Sequence, residues 1–307
     1  MTSDSSYYQY TPSVAAALIF AILFGYSSLH HTYQLFRSRS WFMIPLLLGC
    51  FCETGGFAAR TISANQSPDY SLGVYIVQEL LILVPPILFA ASIYMTFGYY
   101  ILVLDAEEHS LIRESYLTKI FVIGDIIAFL TQATGASMLT SKNGNTQKTG
   151  KYIVIGGLVL QLVFFGFFMF CSILFHARLH SRPTPRSMYN RIPWRTHIYA
   201  LYTVSILIMI RSVFRVVEYI QGEDGYSLSH EWCLYAFDAG LMVCVVFIFI
   251  LKHPSQMRNI LNGRKAVGIF RAKEVVNMRE LDFDKVGITA SASHQRGVSY
   301  ESHTVMA

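Results

Sequence analysis

Charge is what this chain has least of. Only 14% of its 307 residues are Asp, Glu, Lys or Arg, while 53% are hydrophobic and mean hydropathy is +0.41. An ordinary soluble domain carries about a quarter charged residues, so that class is excluded. The first eleven residues contain no Lys or Arg, whereas a cleavable leader begins with a basic region; the first apolar run is expected to stay as an anchor. The five cysteines (Cys50, Cys52, Cys171, Cys233, Cys244) lie within or beside apolar runs, with no pair in a polar loop. A disulfide framework is therefore not expected, and small buried thiols are. A phosphate loop is lacking too: in "TSKNGNTQKTGK" the spacing from Gly144 to Gly150 is one residue too long, and Tyr152 stands where Ser or Thr is needed. ATP-driven pumping is disfavoured, and that stretch reads as a turn cluster.

Seven runs of roughly 20 apolar residues, enough for a hydrocarbon core about 30 Å thick, are expected at 13–36, 41–63, 73–98, 117–139, 151–176, 197–220 and 231–251. Backbone polar groups in lipid must be satisfied within the segment, so the expected fold is all-α, a polytopic seven-transmembrane helix bundle. Lys and Arg then set its orientation. The connections after spans 1, 3 and 5 and the tail after span 7 hold eighteen, while the opposite side holds Lys142, Lys148 and Lys151. The positive-inside rule places the N-terminus outside and the C-terminus in the cytosol. The net charge of +5 thus encodes topology, and no nucleic-acid partner is implied. The expected organisation is an extracellular segment 1–11, a membrane domain 12–254 and a cytosolic tail 255–307. Its stretch 255–271 suits an anionic lipid surface, and the Ser-, Thr- and His-rich end has the composition of a disordered segment. A sequon, Asn65-Gln66-Ser67, falls on the outer side.

Against this apolar background the charges inside the spans are conspicuous, since each costs about 2.5–3.5 kcal/mol at the bilayer centre. Span 2 carries Glu53 and Arg60; span 3, Gln78 and Glu79; span 4, Asp125 and Gln132; span 5, Gln161; span 6, Arg211, Arg215 and Glu218; span 7, Glu231, Tyr235 and Asp238. Four pairs, Glu53/Arg60, Asp125/Gln132, Arg211/Glu218 and Glu231/Asp238, are seven residues apart, nearly two helical turns, so each pair is expected on one face about 10.5 Å apart. The topology puts most of these groups in the outer half of the bilayer, converging on one polar chamber. Below the outer rim, Arg60, Arg211 and Arg215 face Glu53, Glu79, Asp125, Glu218 and Asp238. Full pairing leaves two carboxylates over, to carry protons or hold a cationic group. Helix-locking ion pairs are the competing reading, particularly for Arg215 with Glu53 or Glu218. The glutamines equally suit interhelical hydrogen bonds.

The pattern resembles the fungal RTA1-like family, also called the lipid-translocating exporters. "ETGGFAAR" is similar to its span 2 motif at Glu53, Gly56 and Arg60, with Phe57 where Tyr is usual. "QELLILVPPILFAASIYMTFG" carries Gln78, Pro85 or Pro86, Ala90, Ala91 and Tyr94; "GDIIAFLTQATG" carries Asp125, Gln132 and Gly135; "GGLVLQ" carries Gly157 and Gln161. "RSVFRVVEYIQGEDG", then Glu231, Tyr235, Asp238 and the closing "HP", complete it, while Tyr99 replaces an expected Arg. The resemblance implies a plasma-membrane protein concerned with movement of sphingoid long-chain bases and tolerance of toxic amphiphiles.

The leading expectation is therefore lipid handling without cofactor or enzymatic chemistry. A sphingoid-base-like amphiphile enters from the membrane lipids, its ammonium held by Asp238, Glu53 and Glu231, with Arg211 and Arg215 tuning the acids. The alternative is a seven-span lipid receptor or sensor, although span 3 lacks an Asp-Arg-Tyr element and span 7 lacks Asn-Pro-x-x-Tyr. A zinc hydrolase is disfavoured, because His30 and His31 are adjacent and so on different faces, and His176, His197, His230 and His253 lie near span ends; zinc needs three ligands at one depth. The oligomeric state is not encoded in these features.

Overall fold

The computed structural model describes residues 12–66, 71–139, 141, 143–188, 194–222, 225, 226 and 230–256. The segment 1–11, the sequon's Ser67 and the tail beyond Gln256 lie outside the described residues. The helices are α1 (Val14–Ser38), α2 (Ile44–Asn65), α3 (Leu72–Leu83), α4 (Pro85–Val103), α5 (Glu114–Leu139), α6 (Gly144–Ser181), α7 (Trp194–Gln221) and α8 (Glu231–Leu251). With α3 and α4 counted together, seven spans are long and apolar enough to cross a membrane. Among the described residues there is no strand.

The spans close into a ring: α1 packs on α2, α2 on α3 and α4, α4 on α5, α5 on α6, α6 on α7, α7 on α8, and α8 returns to α1. The α4 helix also crosses to α7, which puts it at the centre. Its sequence explains the position. Phe89, Ala90, Ile93, Tyr94 and Phe97 are all buried, with Ser92 and Thr96 between them, a helix apolar nearly all round and suited to a core. The outer faces present Ile19, Ile22, Leu29, Ile127, Leu130, Val163 and Phe170. Hydrocarbon is as apolar as these side chains, so association rests on close packing and internal polar contacts rather than on expulsion of water.

Small residues set the closest approaches. A Cβ on Gly135 would stand 2.7 Å from the Gly150 carbonyl oxygen, and one on Gly157 2.9 Å from that of Ala128. These contacts correct the expected turn cluster at 140–151. From Gly144 onward it is helix, capped by Asn143 Oδ1 accepting from the Asn145 N–H at 3.1 Å. Packing against Gly135 overrides the local turn propensity of Gly, Asn and Thr. Lys151, one of the three lysines against the charge bias, donates to the Ile220 carbonyl at 3.2 Å, where a cation complements the C-terminal end of α7.

Two spans are irregular. The third breaks at Val84, because Pro85 and Pro86 supply no N–H to continue the ladder. The seventh contains a π-helical segment, Tyr235–Gly240, around Asp238. Its wider turn departs from the 3.6-residue period on which the expected common face of Glu231 and Asp238 rested, and the two acids meet different partners.

Candidate functional site

α2, α7 and α8 bring their charges together in two storeys. At the upper one, near the N-terminal ends of α1 and α8, Arg60 Nη2 meets Glu231 Oε1 at 3.1 Å and Arg60 Nε donates to the Tyr235 hydroxyl at 3.1 Å. That hydroxyl donates in turn to Glu231 Oε1 at 3.1 Å. Both Glu231 oxygens also accept from the Ser13 N–H, at 2.9 and 3.0 Å. One carboxylate thus ties the start of α1 to α2 and α8, and Phe20, stacked on Tyr235 with ring centroids 5.2 Å apart, seals it from below.

The lower storey lies about two turns deeper. Arg211 Nε bonds Asp238 Oδ1, and Arg215 Nη1 donates to Glu218 Oε2 at 2.9 Å while lying 4.0 Å from Asp238 Oδ2. Glu79, accepting from Gln78 Nε2 at 3.1 Å, is an electrostatic neighbour of Arg215 and Glu218. Arg215 also lies over the Tyr219 ring at 5.6 Å. Glu53 differs from every other acid here. It is 1% exposed and its electrostatic neighbours are Asp238 and Arg211, yet among the described residues it makes no ion pair, and its Oε2 has no hydrogen-bond partner.

The remaining expected residues stand apart. Asp125 accepts from the Tyr94 hydroxyl at 2.8 Å, enclosed with Tyr94 by Phe121, Phe165 and Phe168. Gln132 Nε2 donates to Gln161 Oε1 at 2.9 Å across the α5–α6 contact. The expectation of a single chamber is corrected accordingly: α5 packs on α4 and α6, and its polar side chains are taken up there. The charge balance is corrected as well. Arg60 pairs with Glu231 and Arg215 with Glu218 rather than Glu53, so Glu53, Glu79 and Asp125 are without an ion pair among the described residues. Of the three acids expected to hold an ammonium group, Asp238 and Glu231 already face guanidinium groups, which leaves Glu53.

Several participants fall outside the expected set. Ser13 contributes only a backbone N–H, which no side-chain spacing reveals. Tyr219 lies four residues after Arg215, a spacing from which the contact was readable. His31 Nε2 and Gln34 Nε2 contact the carbonyls of Val246 and Ile250 at 3.2 and 3.1 Å, joining α1 to α8. Among the described residues no three His, Cys, Asp or Glu side chains gather as a metal-ligating group.

Apolar spans around a buried guanidinium–carboxylate cluster define a polytopic helical membrane protein with its polar groups turned inward. The chain matches the family described as RTA1 like protein over residues 46–260 and belongs to it. It is 36% identical to Protein RTA1 of Saccharomyces cerevisiae over 272 residues, covering 80% of this chain and 84% of that one. It is 34% identical over 285 residues to Protoporphyrin uptake protein 1 of the same species, covering 81% and 92%. To Sphingoid long-chain base transporter RSB1, also from Saccharomyces cerevisiae, it is 24% identical over 285 residues, covering 82% and 74%. No solved structure matches.

Proposed function

We propose that the protein moves a cationic amphiphile, a sphingoid long-chain base or close analogue, between the leaflets of the plasma membrane. The observation that carries this reading is Glu53: a carboxylate inside the bundle, without an ion pair among the described residues, beside an Arg211–Asp238 pair that is already neutral. An ammonium headgroup completes that charge balance, and the tail lies between apolar helix faces. Membership of a family with a relative named as a sphingoid long-chain base transporter supports the substrate class. The excess of Lys and Arg in the connections after spans 1, 3 and 5 supports an outside N-terminus, which sets the Arg60–Glu231 storey on the exoplasmic side of Glu53. In this orientation residues 12–254 form the transport domain and the tail faces the cytosol.

The test is leaflet-resolved flux of a labelled sphingoid base in proteoliposomes. Glu53→Gln removes one charge-assisted contact, about 1.5–3 kcal/mol, and lowers flux about 10- to 100-fold. Equal flux in the variant removes the carboxylate mechanism. Saturable binding with no change in leaflet distribution replaces transport by a sensor.

A further inference from the structure

The break in the third span faces Glu53, and the register shows it. A Cβ on Gly49 would lie 2.5 Å from the Phe89 ring, and one on Gly56 2.7 Å from Ile82 Cγ1 and 3.3 Å from the Ile82 backbone nitrogen. Both contacts fit one antiparallel register, which sets Glu53 opposite Pro85. Residues 49, 53 and 56 share a helix face, so Glu53 looks onto the break. Pro85 and Pro86 deprive the carbonyls of Leu81 and Ile82 of their helical donors. The neighbouring N–H groups are engaged elsewhere, Val84 with Leu80 at 3.3 Å and Ile87 with Val84 at 3.2 Å. Among the described residues no donor reaches either carbonyl. Helical carbonyls point toward the helix C-terminus, here toward the level of Glu53. In hydrocarbon an unsatisfied carbonyl costs several kcal/mol, and irregular backbone persists at membrane depth only where it is buried in protein or lines a cavity.

We infer that the Leu81 and Ile82 carbonyls and the Glu53 carboxylate form one cation site, built for a primary ammonium group. Such a group has three N–H donors in a compact head, and the site offers a charged acceptor and two neutral ones. A trimethylammonium head has the same charge and no donor, so it gains the attraction of Glu53 and nothing from the break. Gly56 permits the approach, since any side chain there displaces Ile82. This site rests on the transport reading above and adds selectivity for primary amines.

The experiment measures binding of octadecylamine and octadecyltrimethylammonium to the full chain reconstituted in phosphatidylcholine vesicles. Wild type is expected to prefer the primary amine by about tenfold. Pro85→Ala/Pro86→Ala returns an N–H to each carbonyl, and its preference is expected to fall to within about twofold while the trimethyl compound still binds. Pro86→Ala alone restores only the Ile82 donor and should give an intermediate ratio, which guards against a misfolded double variant. Glu53→Gln weakens both amines, the primary one more, because it loses a charge-assisted hydrogen bond as well as the attraction. A proline variant that keeps the full preference overturns the carbonyl site and leaves the Glu53 reading standing. Unchanged binding in Glu53→Gln overturns both. Displacement by millimolar sodium in wild type, with no difference between the two amines, makes it an alkali-ion site and overturns the assignment to ammonium.

Discussion

Asp238→Asn separates a helix-locking charge pair from one that is energetically idle. Asp238 is 2% exposed and Arg211 4%, and Arg215 lies within 4.0 Å of the same carboxylate. Two guanidinium groups therefore lean on one acid, with Glu218 sharing Arg215. Removing one member of a buried pair costs about 3–5 kcal/mol, because the other charge stays buried without compensation. The loss here is expected at the lower end, about 3 kcal/mol, since the Asn carbonyl still accepts from Arg211 Nε and Glu53 stands near enough to take up part of the charge. Replacing both partners by apolar residues, Arg211→Met with Asp238→Leu, removes the uncompensated charge and should return stability to within about 1 kcal/mol of wild type. Unfolding midpoints in rising mole fractions of SDS, followed by tryptophan fluorescence in dodecylmaltoside micelles, give both values. A cost below about 1 kcal/mol for Asp238→Asn, the range of exposed pairs, refutes the reasoning. The outcome also decides how transport data are read. A destabilised Asp238 variant loses flux for reasons unrelated to substrate, whereas Glu53 has no ion pair among the described residues to break.

Gly135→Ala places a methyl 2.7 Å from the Gly150 carbonyl and the Val154 nitrogen and should lower stability by about 1–3 kcal/mol in the same SDS titration. Gly156→Ala meets nothing within 4 Å and should raise it by up to about 1 kcal/mol through helix propensity. Tyr235→Phe deletes the hydroxyl that accepts from Arg60 and donates to Glu231, at a cost of about 1.5–3 kcal/mol; a smaller change shows that Arg60 and Glu231 hold each other unaided. For orientation, in a background without native cysteines, Lys148→Cys should react with an impermeant maleimide on intact cells and Glu107→Cys only after permeabilisation; both positions are exposed, at opposite ends of the bundle, and the reverse pattern refutes the outside N-terminus.

The seven spans were legible because long apolar runs are a one-dimensional signal that lipid enforces at every residue. The intramembrane charges were legible for the same reason, since each stands out against its run. Their partners were not. Seven-residue spacing assumes a regular α-helix, and the π segment at Tyr235–Gly240 turns Asp238 toward Arg211 while Glu231 meets Arg60. Arg215 and Glu218 stand three residues apart on α7, a pairing the spacing allowed, and only the packing of α7 on α8 adds Asp238 behind them. The start of α6 was hidden because Gly150 reads as a turn residue alone and as a packing residue only opposite Gly135. Asp125 has the depth expected of a chamber's innermost member, but Tyr94 on the central helix claims it.

The two irregular spans occur where the charges are, and the coincidence has a physical basis. A π turn and a proline break each loosen the backbone hydrogen-bond ladder, a cost that an apolar, lipid-facing helix has no means to offset. In this chain the π turn carries Asp238 and faces Arg211, while the register of α2 against the third span sets Glu53 level with the proline break. The π turn aims a carboxylate at a guanidinium and so neutralises one side of the cluster. The break leaves two carbonyls without helical donors, level with a carboxylate that has no ion pair among the described residues. The two halves therefore differ in kind: α7 and α8 form a wall with nearly all its charge spent internally, while α2 and the third span present acceptors in excess. On the proposed reading, a ligand rich in donors and positive in charge binds the second half, and the first gives it a rigid surface to bind against.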